Sequence, residues 1–323
     1  MLSKSSVIAI VVVIISSFSL VYSQDKNMTK SPDTAFLESV KTEIHPERDN
    51  ADYPNELYVK RRFVYGVDNG RQLEADIFTP IVIPEKARPA IVFLHGGAWM
   101  FGDPSQFHIH AVYLAEKYGF FAMSLNYRTS IEARFPAALH DAKCAIRWLH
   151  SRANDLNIDP EKIAICGGSA GGHLSSMVAT TAGVKEYEGD GGYRNFSSEV
   201  NLAIIFNGEF DMWDLVNKGS LIQAMQLFIG GTPEELPEKY DELSSIKRIH
   251  ESVPPVLLLH GTVDMCVSHE QALAFHSKMQ KLGNHSEIEL YEGKAHAWFN
   301  SEPDKTITIK RMEKFLIEQF KLN

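Results

Sequence analysis

The sequence predicts an α/β fold with a mostly parallel central sheet, helices on both faces and a short cap insertion. Short apolar runs typical of buried strands recur along the chain, and segments of helical periodicity separate them. Such alternation of strands and helices indicates one sheet covered on both sides. The chain has 323 residues, of which 44% are hydrophobic, and this suffices for one large core.

The first predicted element is a hairpin over 58–65 and 73–78, because Asp68-Asn69-Gly70 between them is a turn signal. The segment 136–153 places apolar residues at helical spacing and is predicted to be a helix. Six further strands are predicted from apolar runs, at 89–94, 120–126, 163–166, 202–206, 255–260 and 286–291.

The segment from about 211 to 250 is longer than a simple crossover between strands, and we expect it to form a small cap. Its large apolar side chains are candidates for a pocket wall, and they fit equally well as the ordinary core of an inserted helix. These side chains are Trp213, Leu227 and Phe228.

The run Gly167-Gly168-Ser169-Ala170-Gly171 is the most informative motif of the chain. It follows the predicted strand at 163–166 and precedes a helix-like stretch at 172–179. Strand, sharp glycine-flanked turn and helix form the context in which a serine is exposed as a nucleophile. The small neighbours are needed because the turn holds the serine in a strained conformation.

Two further residues complete a catalytic set in the chain order serine, acid, histidine. Asp264 follows the predicted strand at 255–260, and His296 follows the strand at 286–291. Histidine has the pKa to accept the proton of Ser169, and a carboxylate holds the imidazole in the required tautomer. Ser169, Asp264 and His296 are therefore the predicted catalytic residues.

Backbone N–H groups must also stabilise the oxyanion of such a reaction. The strand at 89–94 runs into His95-Gly96-Gly97-Ala98-Trp99. We expect the oxyanion hole to comprise the N–H of Ala170 and the loop of Gly96, Gly97 and Ala98, in which Gly96 shapes the backbone.

These motifs resemble the hormone-sensitive-lipase-like branch of the α/β-hydrolase carboxylesterases, and most of all bacterial secreted acetylxylan and feruloyl esterases. The resemblance implies an α/β-hydrolase fold and a serine esterase acting on acetyl or hydroxycinnamoyl esters of plant polysaccharides. The matching stretches are 95–99, 126–128, 135–138 with Asp141, 158–160, 167–173, 260–264 and 291–293 with His296. Two positions depart from the branch: Ala98 stands where a third glycine is common, and Lys294-Ala295 precedes His296 where glycine is common.

Other side chains near these motifs have two interpretations each. Trp99 and Trp298 flank the oxyanion and histidine loops and could line the acyl pocket or stack on a sugar. Glu209 and Asp211 follow the strand at 202–206 and could contact substrate or serve as capping or solvated groups. Three other histidines near these motifs, His95, His173 and His260, are expected to be structural.

The N-terminal segment 1–23 is predicted to be a cleavable signal peptide, since the apolar run at 7–21 is short for a membrane-spanning helix. An uncleaved membrane anchor is the alternative. Residues 24–54 are rich in polar residues and predict a flexible leader, and 55–323 form the predicted catalytic domain. We therefore expect a secreted or periplasmic protein.

The net charge of −9 argues against nucleic acid or an anionic membrane as a partner, and the expected partner is a small-molecule or polysaccharide ester. Three cysteines are too few for a disulfide framework, and Cys144 and Cys166 are predicted to be buried thiols. No metal-ligand spacing or glycine-rich phosphate loop is present in the sequence, so neither a metal nor a cofactor is expected.

Two alternatives remain beside the esterase. A prolyl-oligopeptidase-like exopeptidase or amidase shares the catalytic residues, although such enzymes usually carry a large additional propeller domain. A non-catalytic α/β-hydrolase relative that acts as a binding module would be expected to lack at least one residue of the triad.

Overall fold

A computed structural model describes residues 52–322 of the chain. The predicted signal peptide at 1–23 and nearly all of the predicted leader lie outside this range, and both stay predictions. None of the helices between 52 and 322 combines the length and the hydropathy that crossing a bilayer requires.

Eight strands form a single sheet in the described residues. They are β1 Leu57–Asp68, β2 Arg71–Pro80, β3 Arg88–Leu94, β4 Phe121–Asn126, β5 Ile158–Gly168, β6 Leu202–Phe206, β7 Val256–Gly261 and β8 Ser286–Tyr291. Every strand predicted from the sequence is present, and β5 begins earlier than expected because it includes the polar stretch before 163.

The sheet order is β1-β2-β4-β3-β5-β6-β7-β8. β1 and β2 form the predicted antiparallel hairpin, and β2 is also antiparallel to β4. All other neighbours, from β4 through β8, are parallel. The carboxyl ends of β3, β5, β6, β7 and β8 therefore meet at one edge, where the loops that follow them lie side by side.

Eight α-helices accompany the sheet within the described range. They are α1 His108–Tyr118, α2 Ala137–Arg152, α3 Ala170–Thr180, α4 Met212–Lys218, α5 Ile222–Ile229, α6 Pro237–Leu243, α7 His269–Lys281 and α8 Asp304–Phe320. The predicted helix at 136–153 is confirmed by α2. The helices α1 to α7 lie in the connections between parallel strands, as the α/β prediction requires, and α8 follows the last strand.

Both faces of the sheet are buried. On β3, Ala90, Val92 and Leu94 pack in one hydrophobic cluster, whereas Ile91 and Phe93 pack in the other. Apolar residues of α2, α3 and α7 cover the first face, and those of α1 and α8 cover the second. The side chains of a strand alternate between faces, so an unbroken apolar run such as that of β3 needs helices on both sides. Cys144 and Cys166 are buried in this core, as predicted.

The predicted cap segment contains α4, α5 and α6. Phe228 of α5 is 1% exposed and stacks on Trp99 with ring centroids 5.0 Å apart, so it belongs to the ordinary core. Trp213 donates a hydrogen bond from Nε1 to Asp241 at 2.6 Å. Leu227 is 38% exposed, and of the three candidates for a pocket wall it is the one with substantial free surface.

A buried ionic network ties the loop after β4 to α2 and to the first hairpin. Arg128 Nη2 lies 2.6 Å from a carboxylate oxygen of Asp141 and 2.6 Å from one of Asp68. The backbone N–H of Arg128 also donates to Asp141, at 2.8 Å. Burial raises the pKa of Asp141 although the Arg128 charge opposes the rise, so the carboxylate depends on its partner.

We expect Asp141→Asn to lower the free energy of unfolding by about 3 kcal/mol, because it removes the charge that faces a buried guanidinium. The exposed pair Arg194–Asp190 provides a matched control, and Asp190→Asn should cost less than about 1 kcal/mol. Urea unfolding followed by circular dichroism measures both. Equal effects of the two substitutions would show that the Asp141 network adds nothing beyond a surface pair.

Candidate active site

Ser169 occupies a sharp turn between β5 and α3, as the glycine-flanked motif predicts. Its backbone has φ 53° and ψ −125°, a conformation that is strained for a residue with a side chain. The turn can form because its glycines are closely packed: a Cβ on Gly171 would lie 2.1 Å from the carbonyl oxygen of Leu94. The backbone N–H of Ser169 donates to Phe206 O at 2.9 Å, which fixes the turn against β6.

The three predicted catalytic residues form one chain of hydrogen bonds. His296 Nε2 lies 2.9 Å from Ser169 Oγ, and His296 Nδ1 lies 2.7 Å from Asp264 Oδ2. The carboxylate requires a donor, so Nδ1 carries the proton and Nε2 is left to accept the proton of the serine. Ser169, His296 and Asp264 follow β5, β8 and β7, so the shared sheet edge brings them together.

Asp264 has more hydrogen-bond partners than the sequence suggested. Its Oδ1 accepts from the backbone N–H groups of Cys266 and Val267 at 2.8 and 2.9 Å. His260 Nε2 lies 2.9 Å from Val267 O and 3.3 Å from Asp264 Oδ2. Burial opposes ionisation of Asp264, but the hydrogen bonds from His260 and His296 hold its pKa well below its usual range. His260 is therefore structural, as expected, and its specific role is to hold the catalytic acid Asp264 in place.

Burial alone would lower the pKa of His296, but the hydrogen bond with Asp264 and the negative charge of Asp264 raise it above the ordinary value of 6.5. The net shift favours the imidazolium. This is the form that must exist briefly while the histidine holds the proton of Ser169.

The loop after β3 lies beside the nucleophile, as an oxyanion loop must. A Cβ on Gly96 would be 3.4 Å from Ser169 Cβ. Gly97, Ala98 and Trp99 have φ values of 123°, 51° and 60°, so successive peptide units turn in the left-handed region. The N–H groups of Gly97, Ala98 and Ala170 take part in none of the hydrogen bonds found within residues 52–322. Ala170 also begins α3, where the helix dipole favours negative charge.

The assignment of Gly96 to the oxyanion hole is wrong for its N–H group. This N–H donates to Gln106 Oε1 at 2.7 Å and is therefore not available to an oxyanion. Gly96 shapes the loop and is not a free donor. His95 braces the same loop, as expected: its ring stacks on Tyr127 with centroids 4.2 Å apart, and its Nδ1 lies 2.8 Å from Gly96 O.

The prediction that Trp99 contacts substrate is wrong, because its side chain is fully buried. Its indole donates to His173 Nδ1 at 3.1 Å and stacks on Phe228. His173 Nε2 lies 2.9 Å from Leu243 O, so this histidine links the oxyanion loop to the cap segment. Trp298 is 8% exposed and packs in the core against Tyr291, which leaves little surface for stacking on a sugar.

The two acids after β6 separate into different roles. Asp211 caps α4 by accepting from the N–H of Trp213 at 2.9 Å, which agrees with the capping interpretation. Glu209 is fully buried, and its Oε1 lies 3.2 Å from Ser169 Oγ. Instead of lining the outer pocket, Glu209 therefore contacts the nucleophile itself.

Comparison with known proteins agrees with this architecture. The family model BD-FAE matches residues 75–279, which is more than half of the chain and includes Ser169, Glu209 and Asp264. The chain belongs to the BD-FAE family.

Solved structures resemble this BD-FAE protein over most of its length. A thermophilic esterase from Thermogutta terrifontis, with propionate bound, is 32% identical, covers 82% of this chain and 94% of its own, and has a TM-score of 0.68. A truncated carbohydrate esterase from gut microbiota is 27% identical, covers 83% and 98% of the two chains, and has a TM-score of 0.70. Together with the sheet order, these likenesses show the α/β-hydrolase fold.

Among curated proteins, esterase LipC of Mycobacterium tuberculosis is 28% identical over 224 residues, which are 68% of this chain and 55% of that protein. A probable carboxylic ester hydrolase of the same organism, LipM, is 30% identical and covers 60% of this chain and 45% of its own. The BD-FAE chain thus spans about half the length of the curated relatives it matches.

Three residues of the BD-FAE site were missed from the sequence. Asn207 Nδ2 lies 3.3 Å from both ring nitrogens of His296. Gln271 of α7 accepts from the N–H groups of Phe210 and Asp211 and thereby fixes the loop that carries Glu209. Gln106 holds Gly96. Of these three residues, only Asn207 could have been identified from the sequence, since it directly follows the predicted strand at 202–206.

Asp264, Cys266 and His296 place one ligand-type atom each within 4.8 Å of one another. Sequence spacing did not indicate this group, because the loop after β7 folds back onto the histidine. Both oxygens of Asp264 already accept hydrogen bonds, and His296 Nδ1 is one of the donors. The group is thus engaged in orienting the histidine.

The protonation of His296 provides a test of this geometry. We expect its imidazole to titrate above about 6.5 in the wild type and lower in Asp264→Asn, because the substitution removes the charge that favours imidazolium. Ring ¹³C and ¹⁵N NMR shifts followed against pH measure both values. Glu270→Gln, on the exposed start of α7, is the control and should leave the titration unchanged. An unchanged His296 pKa in Asp264→Asn would contradict the assigned contact.

Proposed function

We propose that this chain is a secreted serine carboxylesterase that hydrolyses acetyl or hydroxycinnamoyl esters on plant polysaccharide side chains. One observation carries the esterase proposal: Asp264, His296 and Ser169 form a continuous hydrogen-bonded chain beside free backbone N–H groups. Several relatives of the chain are esterases.

In the acylation step, Ser169 Oγ attacks the ester carbonyl while His296 Nε2 takes the hydroxyl proton. Asp264 holds the imidazole in place and stabilises its charged form. The oxyanion is stabilised by the N–H groups of Gly97, Ala98 and Ala170. His296 then donates the proton to the departing alcohol oxygen, and the acyl group remains on Ser169.

Deacylation repeats these events with water as the nucleophile. His296 Nε2 takes a proton from water as the water oxygen attacks the acyl carbon. The tetrahedral intermediate collapses by breaking its bond to Ser169 Oγ, which receives the proton from His296. The carboxylic acid leaves, and the serine hydroxyl is restored.

Three exposed apolar side chains on the loops of the site support an ester with an apolar acyl group. Phe101 follows the oxyanion loop, and Val263 and Met265 flank Asp264. Their exposures are 60%, 49% and 90%, unusually high for such side chains, and exposed apolar surface of this kind often marks a binding site. The relative solved with propionate and the relative described as a carbohydrate esterase agree with a short acyl group and a sugar alcohol.

Secretion is part of the proposal and rests on the segment 1–23 of the sequence. A polysaccharide substrate lies outside the cell, so a signal peptide and this substrate class are mutually consistent. Expression of the full chain in a bacterium, followed by N-terminal sequencing of the exported protein, tests the proposed cleavage.

We expect Ser169→Ala to lower kcat by roughly 10⁴–10⁶ while the protein remains folded, because only this oxygen can carry the acyl group. Hydrolysis of p-nitrophenyl acetate measures kcat, and circular dichroism checks the fold. Ser176→Ala on α3 is a matched control, since its hydroxyl bonds to Ser245 inside the core. Esterase turnover that survives in Ser169→Ala would refute the proposal.

Substrate size should depend on Ala98, whose methyl group lies in the oxyanion loop. We expect kcat/KM to fall by about tenfold or more from acetyl to butyryl p-nitrophenyl esters, and Ala98→Gly to reduce that difference. The φ of 51° at this position suits glycine, so the fold should tolerate the change.

The same panel should include acetylated xylan, feruloylated arabinoxylan and aminoacyl p-nitroanilides. Release of acetate from xylan without cleavage of the anilides is the expected result. Preferential cleavage of the anilides would instead favour the exopeptidase alternative, and equal rates on acetyl and butyryl esters would contradict the expected effect of Ala98 on substrate size.

A further inference from the structure

Glu209 is a carboxyl group that the mechanism above does not use. It lies in the loop after β6, between the strand that leads to Ser169 and the strand that leads to Asp264. Its side chain is fully buried, Oε1 lies 3.2 Å from Ser169 Oγ, and Oε2 has no hydrogen-bond partner within the described residues. An acid so placed beside a nucleophile needs an explanation.

The absence of a lysine or arginine partner among the described residues argues for a neutral carboxyl. No lysine or arginine in residues 52–322 forms an ion pair with Glu209, and one of its oxygens is both buried and unbonded. A desolvated carboxylate with a free oxygen is costly, whereas a carboxylic acid is far less so. Burial raises the pKa of Glu209 to about 7, against the lowering effect of His296, so a substantial fraction of the group carries its proton at neutral pH.

The single hydrogen of the Ser169 hydroxyl also indicates that Glu209 is protonated. The serine hydroxyl has one hydrogen, and the proposed reaction requires it to point to His296 Nε2, at 2.9 Å. The contact between Ser169 Oγ and Glu209 Oε1 is then a hydrogen bond only when the carboxyl is the donor. An ionised Glu209 would compete with His296 for the single serine proton.

We propose that Glu209 is a fourth catalytic residue, a neutral carboxylic acid that donates a hydrogen bond to Ser169 Oγ and promotes deacylation. This inference rests on the proposed esterase function. When the bond between the acyl carbon and Oγ breaks, the electron pair stays on Oγ and the proton comes from His296. Glu209 keeps its own proton throughout and stabilises the negative charge that builds on Oγ.

The proposal predicts an asymmetry between the two chemical steps. In acylation Oγ is the nucleophile, and a donor hydrogen bond withdraws electron density from it. In deacylation Oγ is the leaving group, and the same hydrogen bond helps it depart. Loss of the donor should therefore slow deacylation while leaving acylation unchanged or slightly faster.

Stopped-flow hydrolysis of p-nitrophenyl acetate separates the two steps, because acylation releases p-nitrophenol. In Glu209→Met, which keeps the length and removes the donor, deacylation should slow about 10- to 100-fold and a burst of about one p-nitrophenol per active site should appear. In Glu209→Gln, which keeps an N–H donor, deacylation should stay near the wild-type rate. Asp211→Asn, two residues along the loop, is the control and should leave both rates unchanged.

The pH profile gives a second readout, because Glu209→Gln cannot ionise. Besides Ser169, the groups that face Glu209 are Tyr127, Asp264, Cys266 and His296; the pKa of Asp264 is lowered and those of the other three are raised. The deacylation rate of the wild type should fall above about pH 7 as Glu209 loses its proton, and that of Glu209→Gln should not.

Equal slowing of both steps in Glu209→Met, or a raised KM with unchanged deacylation, would overturn the proposal in favour of a structural or substrate-binding role. Should Glu209→Met fail to fold, the pH profile of Glu209→Gln decides alone, and an unchanged alkaline fall would overturn the proposal. A wild-type protein that releases no p-nitrophenol at all would refute the esterase function rather than the role of Glu209.

Discussion

The strained backbone of Ser169 is the constraint on which the site depends. A serine at φ 53° between a buried strand and a helix persists only if the surrounding structure holds it there. The contact of Gly171 with Leu94 O and the hydrogen bond from Ser169 to Phe206 O provide that support from the strands on either side. The large buried core thus sustains the local strain, and the nucleophile is presented at the sheet edge.

Strand order then determines which side chains can meet at that edge. β5, β6, β7 and β8 are consecutive neighbours, so the loops after them lie in a row in the order Ser169, Glu209, Asp264, His296. His296 comes from the far end of the row and returns across Asp264 to reach Ser169. Glu209 occupies the intervening position, where the imidazole, the serine and the acid surround it. The buried contacts of Glu209 are a consequence of this arrangement.

Much of this could be predicted from the sequence because the signals are local. Apolar runs located six strands, the turn signal at 68–70 located the first hairpin, and glycine spacing with chain order located Ser169, Asp264 and His296. Tertiary packing decided the rest. Trp99 is adjacent to the oxyanion loop in sequence, but the positive φ values before it turn the indole into the core against Phe228. The supporting contacts of Gln106 and Gln271 join segments distant in sequence, and nothing in the local pattern indicates them.

Asp264 and Glu209 show how hydrogen-bond donors set the charge of two neighbouring acids. Asp264 has two backbone N–H groups and two histidines around its oxygens, and these partners keep it ionised despite burial. Glu209 is fully buried, its side chain has one hydrogen-bond partner among the described residues, Ser169 Oγ, and burial therefore dominates its pKa. Environments that push the pKa values of neighbouring groups apart are the usual way in which one site holds an acid and a base at the same pH. The charge that stabilises imidazolium thus lies on Asp264, and the proton donor for Ser169 Oγ is Glu209.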